Sequence, residues 1–146
     1  MTRVLHSFFT LLLCIGLDWL WMRVVGNQLL NYQADKWFQP TDLVFYCLFT
    51  SGLLMLSVYP ALYVRDRNIA LYNAACFGLA AHGLYEFVSS LWYNMYYPVT
   101  LAVADTLWGT FAGIVAGFFS FEMGHWLRMS GSAEKDMTMD EGMFLE

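Results

Sequence analysis

Four apolar runs set the terms for this chain. They extend from about Ser7 to Val25, Thr41 to Tyr63, Ile69 to Tyr93 and Thr100 to Phe121. About twenty residues in a helix cross the hydrocarbon core of a bilayer, and each run meets that length. The expectation is an all-α integral membrane protein, a four-transmembrane-helix bundle over residues 1–129, followed by an acidic tail at 130–146. Polar or charged punctuation separates the runs: the segment from Asn27 to Pro40, the turn Arg65-Asp66-Arg67-Asn68, and the aromatic turn from Asn94 to Pro98. The first run continues through Asp18 to Trp21 without a small-residue cleavage site, so it reads as a span and not as a signal peptide.

Composition supports lipid as the main solvent. Hydrophobic residues make up 59%, aromatic residues 18% and charged residues only 13% of the chain, far from soluble averages. The net charge of −5 is concentrated in the tail, which holds Glu134, Asp136, Asp140, Glu141 and Glu146. A phosphate backbone would repel that tail, so no nucleic-acid partner is expected. Its Gly, Ser, Glu, Asp and Met content implies little intrinsic order.

Lysines and arginines set the orientation. Arg3, Arg65, Arg67, Arg128 and Lys135 share the side of the N-terminus, against Arg23 and Lys36 opposite. The positive-inside rule puts both termini on the inner side, cytoplasm or matrix, of a multi-pass protein in a bacterial cytoplasmic or mitochondrial inner membrane. Trp21, Trp37, Trp92, Tyr93, Tyr96 and Tyr97 collect toward the outer interface, where amphipathic rings favour the headgroup level.

Small residues at four-residue spacing let helices approach closely in lipid. The fourth run carries Gly109, Gly113 and Gly117 in such a row, and the third carries Ala70, Ala74 and Gly78. These rows predict that spans three and four pack on one another, with a second subunit as the alternative partner. Cys14, Cys47 and Cys76 lack C-x-x-C spacing and read as small packing residues inside the bundle.

The rows end in carboxylates. His82, Glu86 and Ser90 continue the third row, Asp105 begins the fourth, and Thr10, Cys14 and Asp18 form a row on the first span. Asp18, Glu86 and Asp105 each fall about 8 to 10 Å below the outer boundary at 1.5 Å per residue. Tyr46, Cys47, Thr50 and Ser51 lie at similar depth on the second span, and Tyr46 and Thr50 add hydroxyls to the layer. Such groups are costly in lipid. Three uses stay open: a polar clamp between helices, a proton or cation site, and a subsite for a polar lipid or small solute.

No spacing matches a catalytic, metal or nucleotide motif. His82 with Ser89 or Ser90 lacks the strand-to-helix turn of a nucleophile elbow, and no ligand set for a metal follows from the spacing. The expectation is a protein that is not an enzyme and has no cofactor beyond bound lipids. One local echo stands out, because Asp18-Trp19-Leu20-Trp21 and Asp105-Thr106-Leu107-Trp108 share the pattern D-x-L-W on oppositely directed spans. Either Trp is placed to donate its indole N–H beside its own helix's acid.

These residues resemble a family of small four-helix membrane proteins known as domain of unknown function 2177. The resemblance rests on Leu17-Asp18-Trp19-Leu20, Phe45-Tyr46 with Gly52, Val58-Tyr59-Pro60-Ala61-Leu62, Phe77-Gly78-Leu79 and Asp105-Thr106-Leu107-Trp108-Gly109. It covers nearly the whole membrane region and leaves out the tail. The family typically has Tyr-Asp-Leu-Thr-Asn where this chain reads Tyr85-Glu86-Phe87-Val88-Ser89, so the carboxylate is one methylene longer, and His82 replaces the usual Tyr. The resemblance implies the fold and the acidic layer, and no activity. The functional expectation is a non-catalytic structural or assembly subunit of a larger membrane complex, with membrane lipids and other membrane subunits as partners. The alternative is a small oligomeric transporter or proton-coupled carrier that uses the carboxylate layer.

Overall fold

A computed structural model describes residues 2–26, 40–92 and 99–143, and among these every regular element is helical. Helix α1 (Thr2–Trp21) passes into a π turn at Met22–Gly26. Helix α2 (Pro40–Leu53), a second π turn at Leu54–Val58 and the short α3 (Tyr59–Val64) form one rod. Helices α4 (Arg67–Trp92) and α5 (Val99–Met143) complete the chain.

Among the described residues, three stretches are long and apolar enough to cross a membrane: Val4–Val24, Leu43–Val64 and Ala102–Leu127. Helix α4 has the length, at 26 residues, but Asn73, His82 and Glu86 interrupt its apolar run. Two of these are turned inward, since His82 and Glu86 are buried. The four runs are therefore unequal in hydropathy, with α4 below the other three. The segments 27–39 and 93–98, which hold Lys36, Trp37, Tyr93, Tyr96 and Tyr97, lie outside the described residues.

Neighbouring rods run antiparallel. Cys14 and Asp18 of α1 meet Thr50 and Tyr46 of α2, while Phe49 and Phe45 of α2 meet Phe77 and His82 of α4. On α5, Asp105 and Gly109 meet His82 and Gly78 of α4, and Trp108 and Ser120 meet Trp21 and Thr10 of α1. In each case the residue order reverses between partners. The result is an up-down-up-down bundle that α1 closes against α5.

The α4–α5 seam is the most extensive contact and brings two backbones together. A Cβ at Gly113 would sit 2.7 Å from the Ala74 carbonyl oxygen, and one at Gly78 would meet the Gly109 carbonyl oxygen. At Gly109 a Cβ would run into the His82 ring, and at Gly117 into Ala74 Cβ at 2.5 Å. Ala70 and Ala74, both fully buried, complete the other side of the seam. Without a hydrophobic drive between helices in lipid, such dispersion contacts supply much of the association.

A tight turn joins α3 to α4. Arg65 takes the left-handed conformation (φ 58°), and the Asp66 amide donates back to the Ala61 carbonyl at 3.1 Å. The Asp66 carboxylate accepts from the Asn68 amide at 2.8 Å and so caps the first turn of α4.

Two expectations are corrected. Cys14 is buried, but Cys47 and Cys76 are exposed, because lipid solvates a thiol as readily as a bundle interior does. The acidic tail was expected to have little order, yet α5 continues through it to Met143. Ala133, Glu134, Lys135, Met137 and Glu141 are good helix formers and no proline interrupts them.

Candidate functional site

The inward face of α1 carries His6, Thr10, Cys14 and Asp18 at four-residue intervals, which places them in one row down the helix. His6, Thr10 and Cys14 are buried and Asp18 is half-buried. Each finds a partner on another helix, and together they form a polar seam through the bundle.

At the outer end of the seam four helices contribute. His82 of α4 donates from Nδ1 to Asp105 Oδ2 of α5 at 3.3 Å, with the side chains 7% and 20% exposed. Asp18 of α1 interacts with the Tyr46 hydroxyl of α2 and the Trp108 indole of α5, and it lies within electrostatic range of His82 and Asp105. The Trp108 Nε1 is buried beside Asp18 but makes no full hydrogen bond to it or to any other described residue. Phe45 and Phe49 set their rings nearly perpendicular to the His82 imidazole, at 6.1 Å with 85° and 5.5 Å with 87°. These two rings form an apolar wall between His82 and the second rod.

The two D-x-L-W segments face each other here. Trp21 stacks on Trp108 at 5.0 Å with an interplanar angle of 16°, while the Trp108 indole turns to Asp18, the acid of the other copy. The sequence placed each indole beside its own helix's acid, whereas the antiparallel crossing of α1 and α5 brings Trp108 beside the acid of α1. Arg23 lies over the Trp19 ring at 5.2 Å, away from the acids.

The remaining layer residues divide. Glu86 is buried one turn beyond His82, acts on it electrostatically, and lines a groove of about 280 Å³ with Gly83, Ala102 and Thr106. Thr50 is buried but faces Cys14, one turn from the carboxylates. Cys47 and Ser51 are exposed. Ser90 lies on α4, and its side chain is outside the described residues. Among the described residues no group of His, Cys, Asp and Glu side chains is arranged to hold a metal ion.

At the inner end a second cluster joins α1 to α5, which the sequence reading did not identify. His6 Nε2 donates to the Ser120 carbonyl at 2.8 Å. Thr10 Oγ1 donates to the His6 carbonyl at 2.9 Å, so the Ser120 hydroxyl is the donor in its 2.7 Å bond with Thr10. The signal was present, since His6 extends the Thr10-Cys14-Asp18 row by one turn. His6 stands just before the first apolar run, which begins at about Ser7, and so lay outside the row.

Chemically, the outer cluster can hold and share protons among two carboxyls and an imidazole, and the inner cluster supplies neutral donors and acceptors. No curated protein and no solved structure matches the chain. The model of the family described as predicted membrane protein, DUF2177, matches residues 4–122, and the chain belongs to that family.

Proposed function

We propose that this protein is a non-catalytic structural or assembly subunit of a larger membrane complex in an inner membrane, bacterial cytoplasmic or mitochondrial. All four rods cross the bilayer in this reading and both termini lie on the inner side, where Arg65 and Arg67 of the α3–α4 turn also fall. One observation carries the proposal: the buried polar groups are turned on each other across helices, as in the His82–Asp105 and Thr10–Ser120 pairs. The outer surface is left aromatic and aliphatic, with Phe8, Trp19, Leu48, Tyr72 and Phe111 exposed. Apolar contact with lipids and other membrane subunits is the means that such a surface offers.

Native electrophoresis of a mild-detergent extract, followed by mass spectrometry of the band, tests this. Migration in an assembly with other membrane proteins is expected. Migration only as a free monomer or small homo-oligomer removes the proposal.

A second reading, a small oligomeric transporter or proton-coupled carrier, is favoured by a different observation. Asp18, His82 and Asp105 converge from α1, α4 and α5 at one level of the bundle, and ionisable groups inside membranes often mark ion paths. Flux into liposomes should vanish in Asp105→Asn and Glu86→Gln. Unchanged flux in the variants, or none in the parent, removes this reading.

A further inference from the structure

The second rod breaks its own hydrogen-bond ladder between the polar site and the inner end. Pro60 has no N–H, so the helical bond that would reach the Leu56 carbonyl does not form. Freed carbonyls in a membrane helix must be satisfied by a neighbour. Asn73 of α4 supplies that donor, its Nδ2 reaching the Leu56 oxygen at a long 3.5 Å. The ladder is rearranged on the outer side of this point, where Leu54–Val58 forms a π turn closed by the Tyr59 amide on the Leu54 carbonyl. Ser57 in the same turn is fully buried, and its hydroxyl has no hydrogen-bond partner among the described residues. Proline and π turns are the places where helices bend.

Everything outward of this joint acts on the polar site. Tyr46 touches Asp18, and Phe45 and Phe49 wall off His82. Tyr46 lies about 15 Å from the centre of the π turn at 1.5 Å per residue, so a small bend there moves the wall by ångströms. The opposite side of the site rests on the α4–α5 seam, where backbones touch and leave no freedom.

We infer that residues 54–60 are a hinge, held closed by the Asn73–Leu56 bond, on which α2 swings away from α4 and uncovers the His82–Asp105 pair. The inference rests on the reading of that pair as an ion site. In the open form the Ser57 hydroxyl bonds to a carbonyl of its preceding turn, that of Leu53 or Leu54, and gains there the acceptor it lacks in the closed form. Asp105 and Asp18 then become reachable from the α2 side.

The native cysteines allow the test. Cys47 lies outward of the hinge on α2, Cys76 lies on α4, and both are exposed. Nitroxides on these two residues, in a Cys14→Ala background in liposomes, report the separation of the rods by pulsed electron resonance. The parent should show two separations, Pro60→Ala only the shorter, and Asn73→Leu a shift toward the longer. A single separation, identical in all three, overturns the hinge. Dicyclohexylcarbodiimide, an apolar carboxyl reagent, tests the uncovering: its attachment to Asp105 and Asp18, read by peptide mass, should slow about tenfold in Pro60→Ala, the ratio expected for loss of a minor open state. Equal rates in parent and variant overturn the uncovering. Loss of the carrier reading by absent flux leaves the measured separations untouched, so the two failures are distinguishable.

Discussion

His82 and Asp105 are joined across α4 and α5 by a 3.3 Å hydrogen bond, at the level where His82 also packs against the Gly109 backbone. The imidazole is thus held by a carboxylate on one edge and by a missing side chain on its face. Replacing Asp105 by Ala leaves a buried imidazole without its acceptor. The bundle should lose about 1 to 2 kcal/mol, the upper range for an interhelical bond in a membrane, measured by reversible unfolding in mixed micelles. Asp105→Asn, which keeps an acceptor, should lose less than half of that.

The glycine seam makes the sharper prediction. Gly113→Ala puts a methyl 2.7 Å from a backbone oxygen of α4 that cannot move aside alone, so the helices must separate at a cost of about 1 to 3 kcal/mol, the usual range for overpacking. Among the described residues nothing lies within 4 Å of a would-be Cβ at Gly16 on α1. Gly16→Ala should leave stability unchanged or raise it by about 0.5 kcal/mol through helix propensity. The same micelle titration, run on both variants, checks the contrast.

At the inner cluster, Thr10→Val and Ser120→Ala remove the two ends of one 2.7 Å bond. Each should cost about 0.5 to 1.5 kcal/mol, and the double variant should cost less than the sum, since both losses concern one interaction. A double-mutant cycle that came out additive would show that the hydroxyls do not hold α1 to α5.

The stacked indoles give an optical handle. Trp21→Leu removes the partner that lies 5.0 Å from Trp108. The near-ultraviolet circular dichroism band of the coupled pair should disappear, with a stability loss of about 0.5 to 1.5 kcal/mol beyond the area effect. Trp126→Leu, at an exposed site, should leave the band in place.

Thiol reactivity separates the cysteines. Cys47 and Cys76 should label with a membrane-permeant maleimide in the folded bundle, and Cys14 only after unfolding. Labelling of all three at one rate would contradict the burial of the α1 row.

What the sequence made legible was periodic. The rows through Gly109, Gly113 and Gly117 and through Ala74 and Gly78 project small residues onto single helix faces, and those faces meet in the α4–α5 seam. Partner choice and rotation are not encoded in a period. Asp18 has Trp108 of α5 beside it because the crossing of two helices decides which side chains meet. The exposure of Cys47 and Cys76 was illegible for another reason: in lipid, an outward apolar residue carries no signature that distinguishes it from an inward one. Of the second rod's joint, Pro60 alone stood in the sequence, while the π turn beside it and its Asn73 donor arise only from the packing of the second rod on α4.

The contact of Gly78 with Gly109 has a mechanical consequence. Where two backbones touch, neither helix can roll or slide without forcing the other to follow, so α4 and α5 move as one body. Whatever shape change this protein undergoes must then be borne by α1 and the second rod, and a ligand or partner that grips the α4–α5 face moves the whole hairpin and does not pry it apart.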